Sequence, residues 1–386
     1  MKTVYDAIII GLGGMGSATA YNLALKGKKV LGLEQFGLAH DLGSSHGNSR
    51  IIRQAYWEGT DYVPMLLRAY ELWNQIQLDS GKPLLQITGG IFLGQENSRV
   101  VKGSITSAEK YNIPHKILSS KDISTLFPPF KVREDYVALY EEQAGILAPE
   151  LAISAFLNQA AKLGAHIHFN EPVEDFKILS AGNSVDVITA KDTYSASRLI
   201  ITAGPWTERL LAEVGVFLKV QRTLMHWFQP KSAINQFGKG SFPIFLYEED
   251  DGTILYGVPA DNPSIDGVKI SFHNRQAQPC NLNTITRQVK PEEIQEIRTH
   301  FRCFLPSLNG KHLRSKTCMY TMSPDEHFII DRHPQYDQIV FATGFSGHGY
   351  KFASVIGEIL AEIASDGATR HNINHFSLSR FLRSVP

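Results

Sequence analysis

Several short stretches bring together side chains that could do chemistry. Gly11, Gly13 and Gly16 keep the G-x-G-x-x-G spacing, and Glu34 follows about 20 residues on. A turn of that kind lets a pyrophosphate approach the backbone, and an acid at that distance accepts a ribose hydroxyl. Near the other end, "GFSGHGYKFASVIG" places Gly344, Gly347 and Gly349 before Lys351. "GTILYGVPADNPSIDGVKISFHN" sets Lys269, Ser271 and His273 at even spacing, with Tyr256 upstream. Arg50 and Arg53 follow the polar run Gly43 to Ser49. Cys318, one of 3 cysteines, sits in "HLRSKTCMYTMSPDEHFIID" among Lys316, Tyr320, Asp325, Glu326 and His327.

Each stretch is open to more than one reading. With 31 glycines in 386 residues the bare glycine spacing arises by chance roughly 0.2 times per chain, so context must carry it. Arg50 and Arg53 share a side on a helical turn and oppose each other on a strand. They could pair with Glu58, Asp61 or a pyrophosphate, or one could grip a substrate carboxylate in a bidentate fork. Lys269, Ser271 and His273 share one face of an extended strand, which is either solvated or covers a ligand. Lys351 falls in the first turn of a helix, where the macrodipole disfavours a cation. It is either a surface lysine or a cation facing an anion. Cys318 could be a core filler, a metal ligand, a nucleophile or an attachment point.

The surrounding elements narrow these readings. "DAIIIGLGGMGSATAYNLALKGKKVLGLEQ" reads as a strand over Ala7 to Ile10, the glycine turn, a helix with Ala18, Ala20, Leu23 and Ala24 on one face, and a strand over Val30 to Leu33. That frame makes the glycine spacing specific for a dinucleotide. The pattern resumes in "AISAFLNQAAKLGAHIHFNEPVEDFKI", "SVDVITAKDTYSASRLIITAGPWTERLL" and "QIVFATGFSGHGYKFASVIGEILAEIA". Residues 1–83, 149–215 and 314–386 are therefore expected to form a discontinuous nucleotide-binding domain with a parallel sheet. Residues 84–148 and 216–313, richer in alternating strands, are expected to form a mainly antiparallel substrate domain. A glycine-rich second helix N-terminus suits the pyrimidine end of a flavin, which becomes anionic on reduction. FAD thus fits better than NAD.

Composition excludes other partners. Lys plus Arg and Asp plus Glu both number 38, so the formal charge is +0 and nothing draws the chain to nucleic acid or an anionic membrane. No apolar run of about 18 residues predicts a transmembrane helix. The start of the chain reads as a fold and not as a signal peptide, and "FLRSVP" carries no lipidation or peroxisomal address. Cys280, Cys303 and Cys318 lack zinc spacing and cannot build a disulfide framework. No metal and a cytoplasmic setting are expected.

The sequence resembles the monomeric sarcosine oxidase family, which includes N-methyltryptophan oxidase. The likeness runs along essentially the whole chain through "IIIGLGGMGSATAYNLA", "GSSHGNSRIIRQAY", "YVPMLLRAYELW", "KTCMYTMSPDEHFIID" and "GFSGHGYKFASVIGE". It implies a D-amino acid oxidase or glutathione reductase type of FAD fold and a monomer. It implies FAD bonded covalently through its 8α-methyl to Cys318, with Lys316 as a basic neighbour of the thiol. Arg53 and Lys351 match residues that bind a substrate carboxylate, and Lys269 matches the lysine where oxygen reacts. Arg50 matches an arginine near the flavin, while Tyr256 and His273 match residues that shape the substrate cavity. Ser44, His46 and Val173, with the two glycine sets and Glu34, match cofactor-binding positions. The implied reaction oxidises an N-methyl amino acid to an imine, which water converts to formaldehyde and the primary amino acid, while O2 becomes H2O2. A D-amino or cyclic imino acid oxidase and a non-catalytic FAD-binding sensor are the alternatives. Ser45, Asn48 and Ser49 stand where bacterial sarcosine oxidases carry histidine, aspartate and threonine, and the segment Gly257 to Lys269 is longer. These departures bear on the substrate.

Overall fold

The computed structural model describes residues 4–179, 184–273, 275, 280–282 and 284–382. Most of "FLRSVP" lies outside them. The expected first unit forms as the strand Val4–Ile10, the helix Gly14–Leu25 and the strand Val30–Leu33. The two strands pair in parallel, with Ala7 opposite Val30 and Ile10 opposite Leu33. Their apolar runs suit a sheet covered on both faces.

This first sheet has a parallel core. His166–His168, Val30–Leu33, Val4–Ile10, Thr193–Ile201 and Ile339–Thr343 lie side by side in that order. The long strand Thr193–Ile201 meets the antiparallel hairpin Val173–Ile178 and Val185–Thr189 along its first half, and Ile339–Thr343 along its last. On one face the helix Gly14–Leu25 packs against the helix Ala353–Asp366. They cross so closely that a Cβ at Gly357 would stand 2.5 Å from the backbone of Ala18. The close crossing brings both helix N-termini to one cavity, which Gly13, Gly14, Gly349, Tyr350 and Lys351 help to line.

The second sheet runs His312–Met322, Lys219–Phe228, Val268–His273, Ile254–Val258, Ile244–Glu248, Gly90–Gln95, Tyr136–Glu141 and Lys116–Ser119. It is antiparallel except where Ile244–Glu248 joins Gly90–Gln95. Both intervening segments supply strands to it. The strand His312–Met322 extends this sheet past residue 313, so Cys318 is carried by the antiparallel sheet. An aromatic core of Phe130, Phe242, Phe245, Phe301 and Phe304 backs it. A small sheet of Arg50–Ile52, Gly145–Leu147 and Leu85–Ile87 lies apart from both. Among the described residues no helix is long and apolar enough to cross a membrane.

Candidate active site

One cavity joins the two large sheets. It holds about 1750 Å³ of empty space, its open mouth included. Ordinary small-molecule pockets take up about 300–1,000 Å³. Its wall runs from Gly11, Gly13 and Glu34 past Ser44, Arg50 and Cys318 to Arg53, Tyr256, His273 and Lys351.

At the nucleotide end the glycines have separate tasks. A Cβ at Gly16 would lie 1.9 Å from the Gly11 carbonyl oxygen, so no side chain fits between turn and helix. At Gly13 the nearest atom would be Ser45 Oγ at 3.5 Å, and the backbone there faces the cavity. The Glu34 carboxylate accepts the amides of Leu12 at 2.9 Å and Phe36 at 3.0 Å. It thus ties the glycine turn to the second strand while still lining the cavity. Val173 lines the same end beside Trp206 and Arg209, whose guanidinium donates to the Val173 carbonyl at 2.6 Å. At the second glycine loop a Cβ on Gly347 would meet Tyr320 at 2.4 Å. Gly344 and Gly349 lie on the wall with it.

In the middle, Cys318 is buried, and its Sγ lies 3.6 Å from Arg50 Nη2 and 3.7 Å from the Ser44 carbonyl oxygen. The basic group in contact with the sulfur is Arg50. Lys316, expected beside the thiol, instead pairs with Asp41 at 3.2 Å near the surface. Arg50 also donates to the carbonyls of Ser44 and Ser49, at 2.8 and 2.9 Å. Lys269 is buried behind this wall and not on it. Its Nζ donates to the carbonyls of Ser49 at 2.6 Å and Gly47 at 3.3 Å. Burial, with Arg50 nearby, pushes this ammonium well below the usual lysine range. His46 is likewise buried and off the wall. Its two ring nitrogens have no hydrogen-bond partner among the described residues, and burial with Arg50 pushes it down to about 3.

The far end gathers a second set of charges. The strand Arg50–Ile52 ends before Arg53, and the chain turns, so the two arginines serve different groups. Arg53 donates to Glu58 at 2.7 and 2.5 Å and to the Ala55 carbonyl at 3.0 Å. Burial opposes the Glu58 charge, but Arg53 holds its carboxyl down to about 2. Lys351 is 5% exposed and is no surface residue. Its Nζ donates to the His348 carbonyl at 2.7 Å. Burial and Arg53 push it down to about 7. Arg53 and Lys351 lie 4.3 and 5.1 Å from the centroid of the Tyr56 ring. The Tyr56 hydroxyl donates to His348 Nδ1 at 2.5 Å, while His348 Nε2 donates to the Glu326 carbonyl at 3.0 Å. Tyr256 faces Ser271 across the hairpin and shares the cavity wall with His273 and Tyr320. Burial holds His273 neutral, down to about 4.

Sequence reading missed Tyr56, His348, Met225 and Glu150 around these groups. His348 stood inside a quoted glycine loop, and Tyr56 three residues after Arg53. Nothing local marked Glu150, which reaches Gly47 from 103 residues away.

The wall fits FAD on its own chemistry. Ser44 Oγ and Thr343 Oγ1 are buried there without a partner among the described residues. Buried polar atoms in that state call for a partner, and a ligand on this wall would supply one. Two helix N-termini and the open backbone at Gly13 suit an anionic cofactor.

Comparison with known proteins agrees. The FAD dependent oxidoreductase family matches residues 6–363. Monomeric sarcosine oxidase of Streptomyces avermitilis is 43% identical over 382 residues, 98% of each chain. N-methyl-L-tryptophan oxidase of Yersinia pestis is 38% identical over 382 residues, 98% of this chain and 99% of its own. L-proline dehydrogenase from P. horikoshii shares the fold, with a TM-score of 0.85 at 23% identity over 99% of both chains. The chain belongs to the FAD-dependent oxidoreductase family, in the group that contains monomeric sarcosine oxidase and N-methyl-L-tryptophan oxidase.

Proposed function

We propose that the protein oxidises a small secondary amine bearing a carboxylate, an N-methyl amino acid such as sarcosine or N-methyl-tryptophan. The product imine is hydrolysed to formaldehyde and the primary amino acid, and O2 leaves as H2O2. One observation carries this reading. Arg53 and Lys351, both buried, line the far end of the cavity that begins at the glycine turn. FAD bound along the wall supplies the two-electron chemistry.

The protein's own residues bind and orient. Arg53 and Lys351 hold the carboxylate, which fixes the amine and its methyl group in reach of the middle of the cavity. Both cations disfavour an ammonium, so the amine is bound with its nitrogen lone pair free. Neutral His273, with Tyr256, Tyr320 and Phe345, shapes a wall that restricts water. Lys269 supplies positive charge for the oxygen half of the reaction. The two loop carbonyls that accept from its Nζ favour the charged form and support that role.

Cys318 is assigned as the covalent attachment point, through a thioether to the 8α-methyl group. Support comes from its place on the wall and from its contact with Arg50. Ser44, His46, Val173, Glu34 and the two glycine sets are assigned to the cofactor, His46 from behind the wall. The same reading includes a flavin part of 1–83, 149–215 and 314–386, a monomer and a cytoplasmic setting. The parallel sheet supports that division, and the strand His312–Met322 crosses it.

Anaerobic titration with sarcosine, N-methyl-tryptophan, pipecolate and proline tests the function. An N-methyl amino acid should bleach the flavin fastest, and aerobic turnover should release formaldehyde and peroxide. Bleaching by proline or pipecolate alone moves the protein to cyclic imino acids. No bleaching by any of the four leaves the D-amino acid oxidase and sensor readings.

A further inference from the structure

The polar run Gly43 to Ser49 reads from sequence as a flexible loop. In the structure it is held from two sides by charges. Glu150, in the first turn of the helix Pro149–Lys162, accepts the Gly47 amide at 2.6 Å. It also accepts the Asn48 amide at 3.1 and 3.2 Å, one distance to each oxygen. Gly47 and Asn48 have φ of +98° and +66°. Their two amides reach the same carboxylate, as successive N–H groups of a turn do when they form a small anion-binding hollow. The Glu150 carboxylate fills it. From the other side Lys269 takes the carbonyls of Gly47 and Ser49, and Arg50 takes those of Ser44 and Ser49. The Gly47–Asn48 peptide thus joins Glu150 to Lys269, while Arg50 holds the same loop through other carbonyls.

We propose that Glu150 is a positioning residue for the oxygen half of the reaction: by filling the Gly47–Asn48 hollow it fixes the carbonyls that aim the Lys269 ammonium. This rests on the assignment of Lys269 above. The charges support it independently. The groups acting on Lys269 are Arg50 and Arg314, Glu150 and the Cys318 sulfur, with the Trp227 ring 5.9 Å away. Glu150 also acts on Arg50. Once Cys318 is a thioether, Glu150 is the anion among those groups. Removing its charge frees the turn and leaves Lys269 facing two arginines, which lowers its hold on a proton.

Stopped-flow measurement of both half-reactions in Glu150→Gln and Glu150→Ala holoenzyme tests this. Reoxidation by O2 should slow about tenfold in the alanine variant and less in the glutamine variant. In both, the pH above which reoxidation declines should fall by about one unit, a shift that a merely structural role would not produce. Anaerobic reduction by substrate and carboxylate-inhibitor binding should stay within about twofold, no more than the weakest net hydrogen bond is worth. Wild-type reoxidation with an unmoved pH profile in Glu150→Gln would overturn the proposal, and that variant decides if the alanine protein fails to fold. Lys269→Met reoxidising at the wild-type rate would instead remove the assignment on which it rests.

Discussion

Lys269 and Lys351 invite comparison. Each is a buried lysine, 2% and 5% exposed, and each stands near one of two arginines three residues apart. Their partners differ. Lys269 gives its protons to two carbonyls of one loop, and Arg50 beside it also serves loop carbonyls. Lys351 donates to one carbonyl, lies against aromatic rings and is on the cavity wall. Arg53 is balanced by a carboxylate. Burial alone therefore does not say what a cation is for. One whose donors go to backbone shapes a local field, and one with donors left on a cavity wall is aimed at a ligand. The carboxylate end can accept an anion at no net charge, because Arg53, Glu58 and Lys351 sum to one positive charge when Lys351 is protonated.

The largest expected effect falls between these two regions, at Cys318. Cys318→Ser should release all flavin to the supernatant on acid precipitation, while wild-type protein keeps its colour in the pellet. Free flavin from wild-type protein would break the attachment. On the loop side, Lys269→Met should slow reoxidation by O2 far more than reduction by substrate. The reverse pattern would merge the two cation regions into one binding site. On the carboxylate side, removing Lys351 or replacing Arg53 by lysine should raise the Kd of acetate-type inhibitors about 10- to 100-fold, the worth of one charge-assisted hydrogen bond. Arg53→Lys should not be harmless, because lysine lacks the fork that meets both Glu58 and a carboxylate. Inhibitor titration followed by flavin absorbance decides it.

The pH dependence sharpens the contrast. Lys351, held down to about 7, must be protonated to take a carboxylate. Above that pH binding should draw in a proton, and Kd should rise by up to about tenfold per pH unit. His273 and His348, pushed down to about 4 and about 3, are already neutral there and add nothing. Lys351→Met should bind weakly with a flat profile. A wild-type profile flat from pH 6 to 9 would remove Lys351 from the clamp.

What was legible in the sequence follows from range. The first strand–turn–helix–strand unit was legible because periodicity and glycine spacing are local, and the strand Val30–Leu33 formed with the bounds expected. Although the pairing of Tyr256 with Ser271 came only with the structure, the two arms that carry Tyr256 and Lys269 to His273 were legible as a hairpin from their alternation. The arginine pair was not, since a strand that ends at Ile52 sends Arg50 and Arg53 to different groups. Nor was the charge at Cys318. Lys316 was near in sequence, but the strand leaves it at the surface with Asp41, and Arg50 comes to the sulfur from 268 residues away. Glu150 carried no signal either, because a carboxylate that fills a hollow of two distant amides leaves no spacing of its own.

The smallest expected effect is on stability, and its sign separates a cation kept for a ligand from one kept for the fold. Burial depresses the Lys351 ammonium from 10.5 to about 7, so between those values the unfolded chain binds more protons than the folded one. Stability must therefore rise with pH across that window. Lys351 costs the fold most below pH 7, by at most about 5 kcal/mol. The His348 carbonyl and the Tyr56 ring offset part of that cost. Lys351→Met keeps the packing and removes the charge, so the holoenzyme should melt a few degrees higher at pH 6.5, with the gain shrinking towards pH 10. Added acetate should raise the wild-type Tm more than that of the variant, which keeps only Arg53 to hold it. A variant that melts lower at every pH would mean that Lys351 supports the fold, and the division between the two lysines would then fail.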